Sequence, residues 1–528
     1  MGGSEIKLLY HTIKYLKPIQ VYYRFFYVIR NKLFRKSYNK TLKNFNPALN
    51  WESFLKSSNS YLEVNTFIFL NLSKTFHKNI DWNYAENGLL WTFNLNYFDF
   101  LNQQEISVEE GVTLIRDYIT KNDTLKVGKQ AFPISLRGLN WVKFLSKNQI
   151  NDAVIAQALY DDYQILYHNL EYHLLGNHLL ENGFSLLFGA YYFKDELLYK
   201  KSIKILKQQL TEQTLNDGAH FELSPMYHQI MLLRVLDCIH LIQLNSWKED
   251  DNIIDFLELI ASKMLSWLRA ITFKKGNIPM MNDSAYFIAP TSKELFDYAE
   301  KLNIDTKNIP LSDSGYRKFT NEIFELFIDV GQIGASYQPA HVHSDTFSCE
   351  LYKKNIPIIV DTGTSTYEKN ELRHLQRSTL SHNTVSINNS NQTQVWGGFR
   401  VAQRAKITQL IEGNNSIKAS HNGYKKYGIE HTRTFIANSK EILINDTLSN
   451  NENNVLTAHY HFHNSITDVI IENNTVKLPK ENIHIILEGK NLKIVKEKYH
   501  LSLGFNKTEE AIKINVFFEN SLNTKIIL

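Results

Sequence analysis

DAVIAQALYDDYQILYHNLEYHLLGNHLLENGFSLLFGAYYF, residues 152–193, is the stretch that decides the fold class. Its apolar residues return every three or four positions, the period of amphipathic helices. The same spacing runs from about Trp82 to Leu302 and includes DNIIDFLELIASKMLSWLRAITF at 251–273. Short polar breaks such as LNDGAH (215–220) and FKKGNIP (273–279) join helices of ordinary length, which suggests successive helical hairpins around a common core. After about Phe319 the pattern changes to short β-rich runs such as FSCELY (347–352), IPIIVDTG (356–363) and AIKINVFF (511–518), separated by Asn, Gly and Asp turns. The expected organisation is a helical domain over residues 1–315 followed by an antiparallel β-sandwich over 316–528.

Composition narrows the function classes. A chain of 528 residues has room for two large domains or roughly three ordinary ones. Lys+Arg 58 against Asp+Glu 54 leaves a net charge of +4, and the mean hydropathy is −0.31. Such a balance excludes a disordered chain and argues against a nucleic-acid binder driven by bulk charge. Two cysteines, Cys238 and Cys349, supply neither a disulfide framework nor a thiolate metal site, so any site must draw on His, Asp and Tyr.

The opening, MGGSEIKLLYHTIKYLKPIQVYYRFFYVIRNKLFRK, interleaves aromatic and basic residues and has no apolar core of a signal peptide. Nowhere do about 18 apolar residues follow one another, so no spanning helix is expected. The chain therefore reads as cytoplasmic, or as periplasmic or secreted if Met-Gly-Gly replaces a native export signal. Two readings of the opening compete: a helix packed on the domain with its cations outward, or a helix lying on a membrane surface.

Three segments concentrate chemistry. From His341 to His382 there are four histidines in 42 residues, where an even spread of the chain's 19 gives about 1.5. His341 and His343 share one side of an extended segment, Asp361 ends a strand and His382 opens another. Two imidazoles and a carboxylate on neighbouring strands suit a divalent ion, zinc first and manganese second; histidines bonded to loop backbone fit the spacing too. In GNHLLENG (176–183), Asn177 and Glu181 stand i,i+4, as do His178 and Asn182; they offer carboxylate donors or an interhelical clamp. In DGAHFELSPMYH (217–228), Ser224 is a natural N-cap and Pro225 fits the first helical position. Tyr227 then falls in the first turn, where the helix dipole favours a phenolate and thus proton transfer, unless the ring merely packs. Arg137, Asn140 and Trp141, and separately Trp396, Arg400 and Arg404, place Arg beside aromatic platforms, as in grips for acidic sugars or in structural stacking.

Taken in order, GNHLLENG, DGAHFELSPMYH, YQPAHVHSDTFSCEL, IPIIVDTGTSTY, RSTLSHNTVSIN and QVWGGFR resemble the heparinase II/III-like superfamily of polysaccharide lyases, from about Trp91 to Arg404. The resemblance implies an incomplete (α/α) toroid followed by an antiparallel β-sandwich. It also implies β-elimination at a uronic acid: Asn177 and His178 neutralise the carboxylate while Tyr227 and His341 move protons. Substrate-binding roles fall to Arg137, Asn140, Trp141, Glu181, Tyr367, Trp396 and Arg400. His343, Asp361 and His382 match the family's metal ligands, which bind zinc, and no organic cofactor is expected.

The resulting expectation is a lyase acting on an acidic polysaccharide, a glycosaminoglycan such as hyaluronan, chondroitin or heparan sulfate, with alginate as an alternative. A uronate C5-epimerase or a capsule-processing protein of the same fold is the competing reading. A hydrolase is disfavoured because the adjacent Asp161 and Asp162 diverge on a helix and form no catalytic pair. No nucleic acid or transmembrane segment enters any of these readings, and the oligomeric state is left open.

Overall fold

A computed structural model describes residues 3–33, 38, 40–42, 49–62, 64–248, 251–449 and 453–528. Two N-terminal helices, α1 (Gly3–Ile13) and α2 (Pro18–Leu33), precede the toroid. The toroid is built from α3 (Leu89–Tyr97), α4 (Val108–Thr120), α5 (Ala131–Lys147), α6 (Ala153–His168), α7 (Gly176–Phe193), α8 (Glu196–Gln213), α9 (Pro225–Leu244), α10 (Asp251–Ile271) and α11 (Ser292–Lys301). Neighbours in sequence pack as hairpins, α7 against α8 and α9 against α10, while α5 packs against both α6 and α7. Side-chain caps start several of them: Ser107 on α4, Asp152 on α6, Asp195 on α8, Ser224 on α9, and a Thr291–Glu294 capping box on α11. Each cap satisfies amide donors that the first helical turn leaves unpaired.

The C-terminal domain is an antiparallel sandwich. One sheet orders Tyr316–Thr320, Phe324–Asp329, Cys349–Lys353 and Ile356–Ile359 as consecutive neighbours. In the larger sheet the long strand Lys507–Ile527 is central, pairing with Glu441–Leu448, Leu456–His461 and Ile483–Gly504. Leu326, Ile328, Phe347, Ile444, Ile485 and Val516 are fully buried between the sheets. A second core fills the toroid, with Trp91, Leu139, Phe184, Leu236 and Trp267 fully buried. The hairpin tip crosses to the toroid: Phe505 packs into the helical core and its carbonyl accepts from Asn71 Nδ2 at 2.8 Å. Tyr316 adds a second tie, its hydroxyl donating to the Leu223 carbonyl at 2.6 Å.

Buried charge also stitches the sandwich. Arg433 donates to both oxygens of Asp446 at 2.7 and 2.9 Å and to the carbonyls of Phe347 and Asn383. Burial alone would raise the Asp446 carboxyl, but Arg433 and His431 hold it down at about 2. The unfolded value is near 4, so this stabilisation is complete above about pH 4 and is lost as the pH falls through about 2. Asp446→Asn leaves Arg433 without its counter-charge and is expected to cost about 3–5 kcal/mol at neutral pH. Urea midpoints followed into acid should then fall less steeply in the variant than in the wild type, and equal steepness would exclude Asp446 as a source of the decline.

Candidate active site at the domain junction

Two helices begin where the domains meet, each after a non-glycine residue in left-handed backbone: Leu175 (φ 62°) before α7 and Leu223 (φ 55°) before Ser224 and α9. Backbone of this kind is costly and persists only where its surroundings hold it. Gly176 also has positive φ, at 59°, and a Cβ there would sit 2.7 Å from Glu222 Oε1. The close approach lets Glu222 accept from the Asn177 backbone N–H at 3.0 Å and from Asn177 Nδ2 at 2.8 Å. On α9, Ser224 Oγ accepts from the Tyr227 N–H at 3.2 Å and donates to the Asp283 carbonyl at 2.7 Å. The cap therefore fixes Tyr227 on its helix and ties that helix to the α10–α11 loop.

Asp283 is the hub. It belongs to the toroid, is fully buried, and receives four side chains from the sandwich, among them the Thr364 hydroxyl, which donates to Oδ1 at 3.2 Å. Arg373 grips both of its oxygens, with Nη2 at 2.7 Å from Oδ2; His341 Nδ1 lies 3.0 Å from Oδ2 and His343 Nε2 2.9 Å from Oδ1. Burial opposes the charge, yet Arg373 and the two imidazole hydrogen bonds outweigh it and hold Asp283 well below the usual carboxylate range. An ionised Asp283 accepts from His341 Nδ1–H, which leaves Nε2 as the basic atom. That atom faces Asn177 Nδ2 at 3.4 Å and Glu222 Oε2 at 3.5 Å.

The His341 ring lies against the Tyr227 ring, centroids 3.9 Å apart at 29°. Tyr227 Oη is 3.3 Å from Tyr367 Oη, and Arg373 sits 4.9 Å over the Tyr367 ring. Contrary to the expectation from the helix dipole, the Tyr227 phenol is pushed far above its ordinary value. Burial is the main cause, with the Asp283 and Glu222 charges adding to it, and it outweighs the dipole's preference for phenolate. Tyr227 is thus a proton donor at neutral pH.

Of these groups Asn177, Tyr227 and Tyr367 line a cleft of about 970 Å³ between the toroid and the sandwich hairpin. The GNHLLENG residues divide as their spacing suggests. Asn177 and Glu181 line the cleft, while His178 and Asn182 both bind Glu171, His178 Nδ1 at 3.1 Å and Asn182 Nδ2 at 3.0 Å. Although burial disfavours its charge, the Glu171 carboxylate raises the His178 pKa, with Glu222 and Glu181 contributing. Glu181 takes Arg234 Nε at 3.1 Å, and Asn140 reaches the cleft while donating to Asp99 Oδ1 at 2.5 Å.

Four of the expected substrate contacts lie elsewhere. Arg137 is fully buried and bonded to Asp162 Oδ2 through Nε at 2.9 Å and Nη2 at 2.7 Å, so it is a structural ion pair. Trp141 is 1% exposed and packs edge-on against Phe98 in the toroid core. Trp396 Nε1 donates to Thr12 Oγ1 at 3.1 Å and Arg400 stacks on Trp396 at 4.7 Å; both belong to the seat of α1. Arg404 lies 3.6 Å over the Tyr15 ring in the same seat. The sequence reading in turn missed Asp283, Glu222 and Glu171, and gave Arg373 no role. Only Glu222, five residues before Tyr227, stood inside a recognised motif.

Family models described as Heparinase II/III N-terminus and Heparinase II/III-like, C-terminal, match residues 37–307 and 304–525. The chain belongs to the heparinase II/III family. It is 23% identical over 462 residues to a heparin-sulfate lyase of Bacteroides stercoris, covering 74% of this chain and 66% of that protein. A heparin-sulfate lyase of Pedobacter heparinus is 22% identical over 315 residues, covering 54% of this chain and 46% of the relative. The chain thus spans just under two-thirds of the first curated relative and under half of the second. A solved heparinase III structure shares the fold with a TM-score of 0.68 at 15% identity, over 98% of this chain and 93% of that one. A heparan sulfate lyase structure from Pedobacter heparinus gives 0.60 at 18% identity, covering 88% and 81%.

The three residues that resemble the family's metal ligands are buried behind His341. His382 Nδ1 lies 2.7 Å from Asp361 Oδ2, and the His343 and His382 rings are 5.3 Å apart. Among the described residues no three His, Cys, Asp or Glu side chains already converge as an ion cage. His343 Nδ1 and His382 Nε2 are nonetheless buried without hydrogen-bond partners, as is Asp345 Oδ2. Unpaired buried donors and acceptors are costly, and nitrogen with carboxylate oxygen is the set a zinc ion takes.

Asp283→Asn keeps the shape and removes the charge that Arg373 answers. It should cost about 3–5 kcal/mol in urea unfolding because a buried guanidinium is left uncompensated. Asp283→Asn/Arg373→Met is expected to recover part of that loss, and a double variant no more stable than Asp283→Asn would dissolve the proposed pairing.

Proposed function

We propose that the protein is a polysaccharide lyase that cleaves a uronate-containing polymer by β-elimination. The observation that carries the reading is the stack of His341 on Tyr227, with Asp283 orienting the imidazole and Asn177 beside it in the cleft. In this reading His341 Nε2 removes the proton from C5 of the uronate. The electron pair of that C–H bond becomes the C4=C5 double bond, and the C4–O4 bond breaks. Tyr227, protonated at neutral pH, donates its phenolic proton to the departing O4.

The C5 proton is weakly acidic, so charge developing on the adjacent carboxylate must be met by donors already in place. The Asn177 amide in the cleft lining and His178, whose ring packs 4.6 Å from that of the lining residue Phe132 and whose pKa is raised, supply them. A glycosaminoglycan is the favoured substrate class, because the curated relatives are named heparin-sulfate lyases and the cleft sits beside a carboxylate-neutralising pair. Alginate is the alternative polymer. A zinc ion would be held by His343, Asp361 and His382, whose unpaired ring nitrogens support the assignment. When bound it would supply a fixed divalent charge that anchors the loop carrying His341.

Incubation with heparan sulfate, hyaluronan, chondroitin or alginate should generate a conjugated alkene read by ultraviolet absorbance. Tyr227→Phe and His341→Ala are each expected to lower kcat by about 10²–10⁴-fold. No absorbance from any of the four polymers with metal-replete protein would defeat the proposal, and wild-type activity in Tyr227→Phe would remove Tyr227 as the acid. Elemental analysis tests the metal separately: His382→Ala should lose zinc that the wild type retains, and a zinc-free wild type would refute that assignment.

A further inference from the structure

The two N-terminal helices break the rule that a surface helix turns its apolar stripe inward. In α2 the inward face is polar or half-polar. Gln20 is fully buried and its Nε2 donates to the Leu174 carbonyl at 3.0 Å; Tyr27 Oη donates to the Leu170 carbonyl at 2.5 Å, and Tyr23 stacks on Tyr172 at 4.7 Å. The outward face carries Tyr22, Phe25, Phe26, Ile29 and Leu33, spaced i, i+3, i+4, i+7 and i+11 along one stripe. Phe25 is 66% exposed and Leu33 69%. In α1 the outward residues are Ile6, Tyr10 and Ile13, while Thr12 is held by Trp396. Eleven of the 27 large apolar side chains exposed among the described residues belong to these two helices, so the patch is not ordinary scatter.

Charge follows the same segment. Residues 1–43 contain ten Lys and Arg and one acidic residue, Glu5, and so carry +9 while the whole chain carries +4. Lys7, Lys14, Arg24 and Lys32 are exposed between the apolar positions. An acidic polysaccharide would engage those cations but has no use for an exposed row of Phe, Ile and Val. A surface that is anionic outside and hydrocarbon a few ångströms below satisfies both features. Neither helix is long and apolar enough to cross a membrane, which suits lying on it.

We propose that α1 and α2 form a docking face for an anionic lipid surface, with Phe25, Phe26 and Ile29 entering the acyl boundary while Arg24 and Lys32 meet headgroups. The face is joined to the active site. Arg24 Nε donates to the His173 carbonyl at 3.3 Å, so α2 rests on the segment that carries Glu171 and leads into α7.

The test is co-sedimentation of the full chain with phosphatidylcholine vesicles with and without phosphatidylglycerol. The wild type should pellet with the anionic vesicles only and be released by salt. Tyr22→Ser/Phe25→Ser/Ile29→Ser should lower partitioning by more than about tenfold. Arg24→Glu/Lys32→Glu should lower it by at least about fivefold. Both sets of positions are exposed, and thermal unfolding of each variant checks that the fold is kept. A wild type that stays in solution with anionic vesicles overturns the proposal, as does undiminished pelleting of the apolar variant. Binding to a soluble acidic polysaccharide instead, lost only in the charge variant, would assign the face to glycan; a dimer abolished by the apolar variant without vesicle binding would assign it to a second copy.

Discussion

Asp283 is an ionised carboxylate sealed between two domains, and the geometry of the site descends from its need for partners. Burying such a charge is costly unless it is paired and hydrogen-bonded. The sandwich answers with the Arg373 guanidinium, two imidazoles and the Thr364 hydroxyl. The backbone of the same residue works in parallel: its N–H donates to the His341 carbonyl at 3.1 Å and its carbonyl accepts from Ser224 Oγ at 2.7 Å. One residue of the toroid thereby sets the imidazole on the sandwich and the cap of the helix that bears Tyr227. The face-to-face approach of His341 and Tyr227 follows from that shared attachment.

What the sequence made legible is what short-range physics governs. The helical period in residues 152–193 and the alternation after Phe319 both appear as helix and strand, and the Ser224-Pro225 start of α9 is observed as an N-cap followed by proline. The pairing of Asn177 with Glu181, and of His178 with Asn182, depends on the i,i+4 geometry of a helix and was visible for that reason. Asp283 was invisible because its partners lie 58, 60 and 90 positions away on another domain. The misread arginines show the same limit from the other side. Arg137 beside Trp141 has the composition of a sugar grip, but Asp162, one helix further on, claims it. Trp396 looked like a platform, and its partner is Thr12, 384 residues away.

The cleft explains why a near-neutral chain suits the proposed reaction. In its lining Glu181 pairs with Arg234 and Asp237 accepts from Lys143 at 2.5 Å, and with Lys56, Lys507, Asp99 and Glu294 the charges of the two signs balance. Long-range attraction of an anionic polymer is therefore weak there, and discrimination falls to short-range donors and aromatic faces such as Tyr97, Phe132 and Tyr367. Elimination requires positive character at one point, beside the uronate carboxylate, and a readily available proton at another, beside O4. His178, raised by Glu171, and Tyr227, held neutral by burial, meet those two requirements through opposite treatments of titratable groups. A uniformly basic cleft would bind the polymer more tightly, but it would also favour the phenolate of Tyr227 and so remove the proton that the leaving oxygen needs.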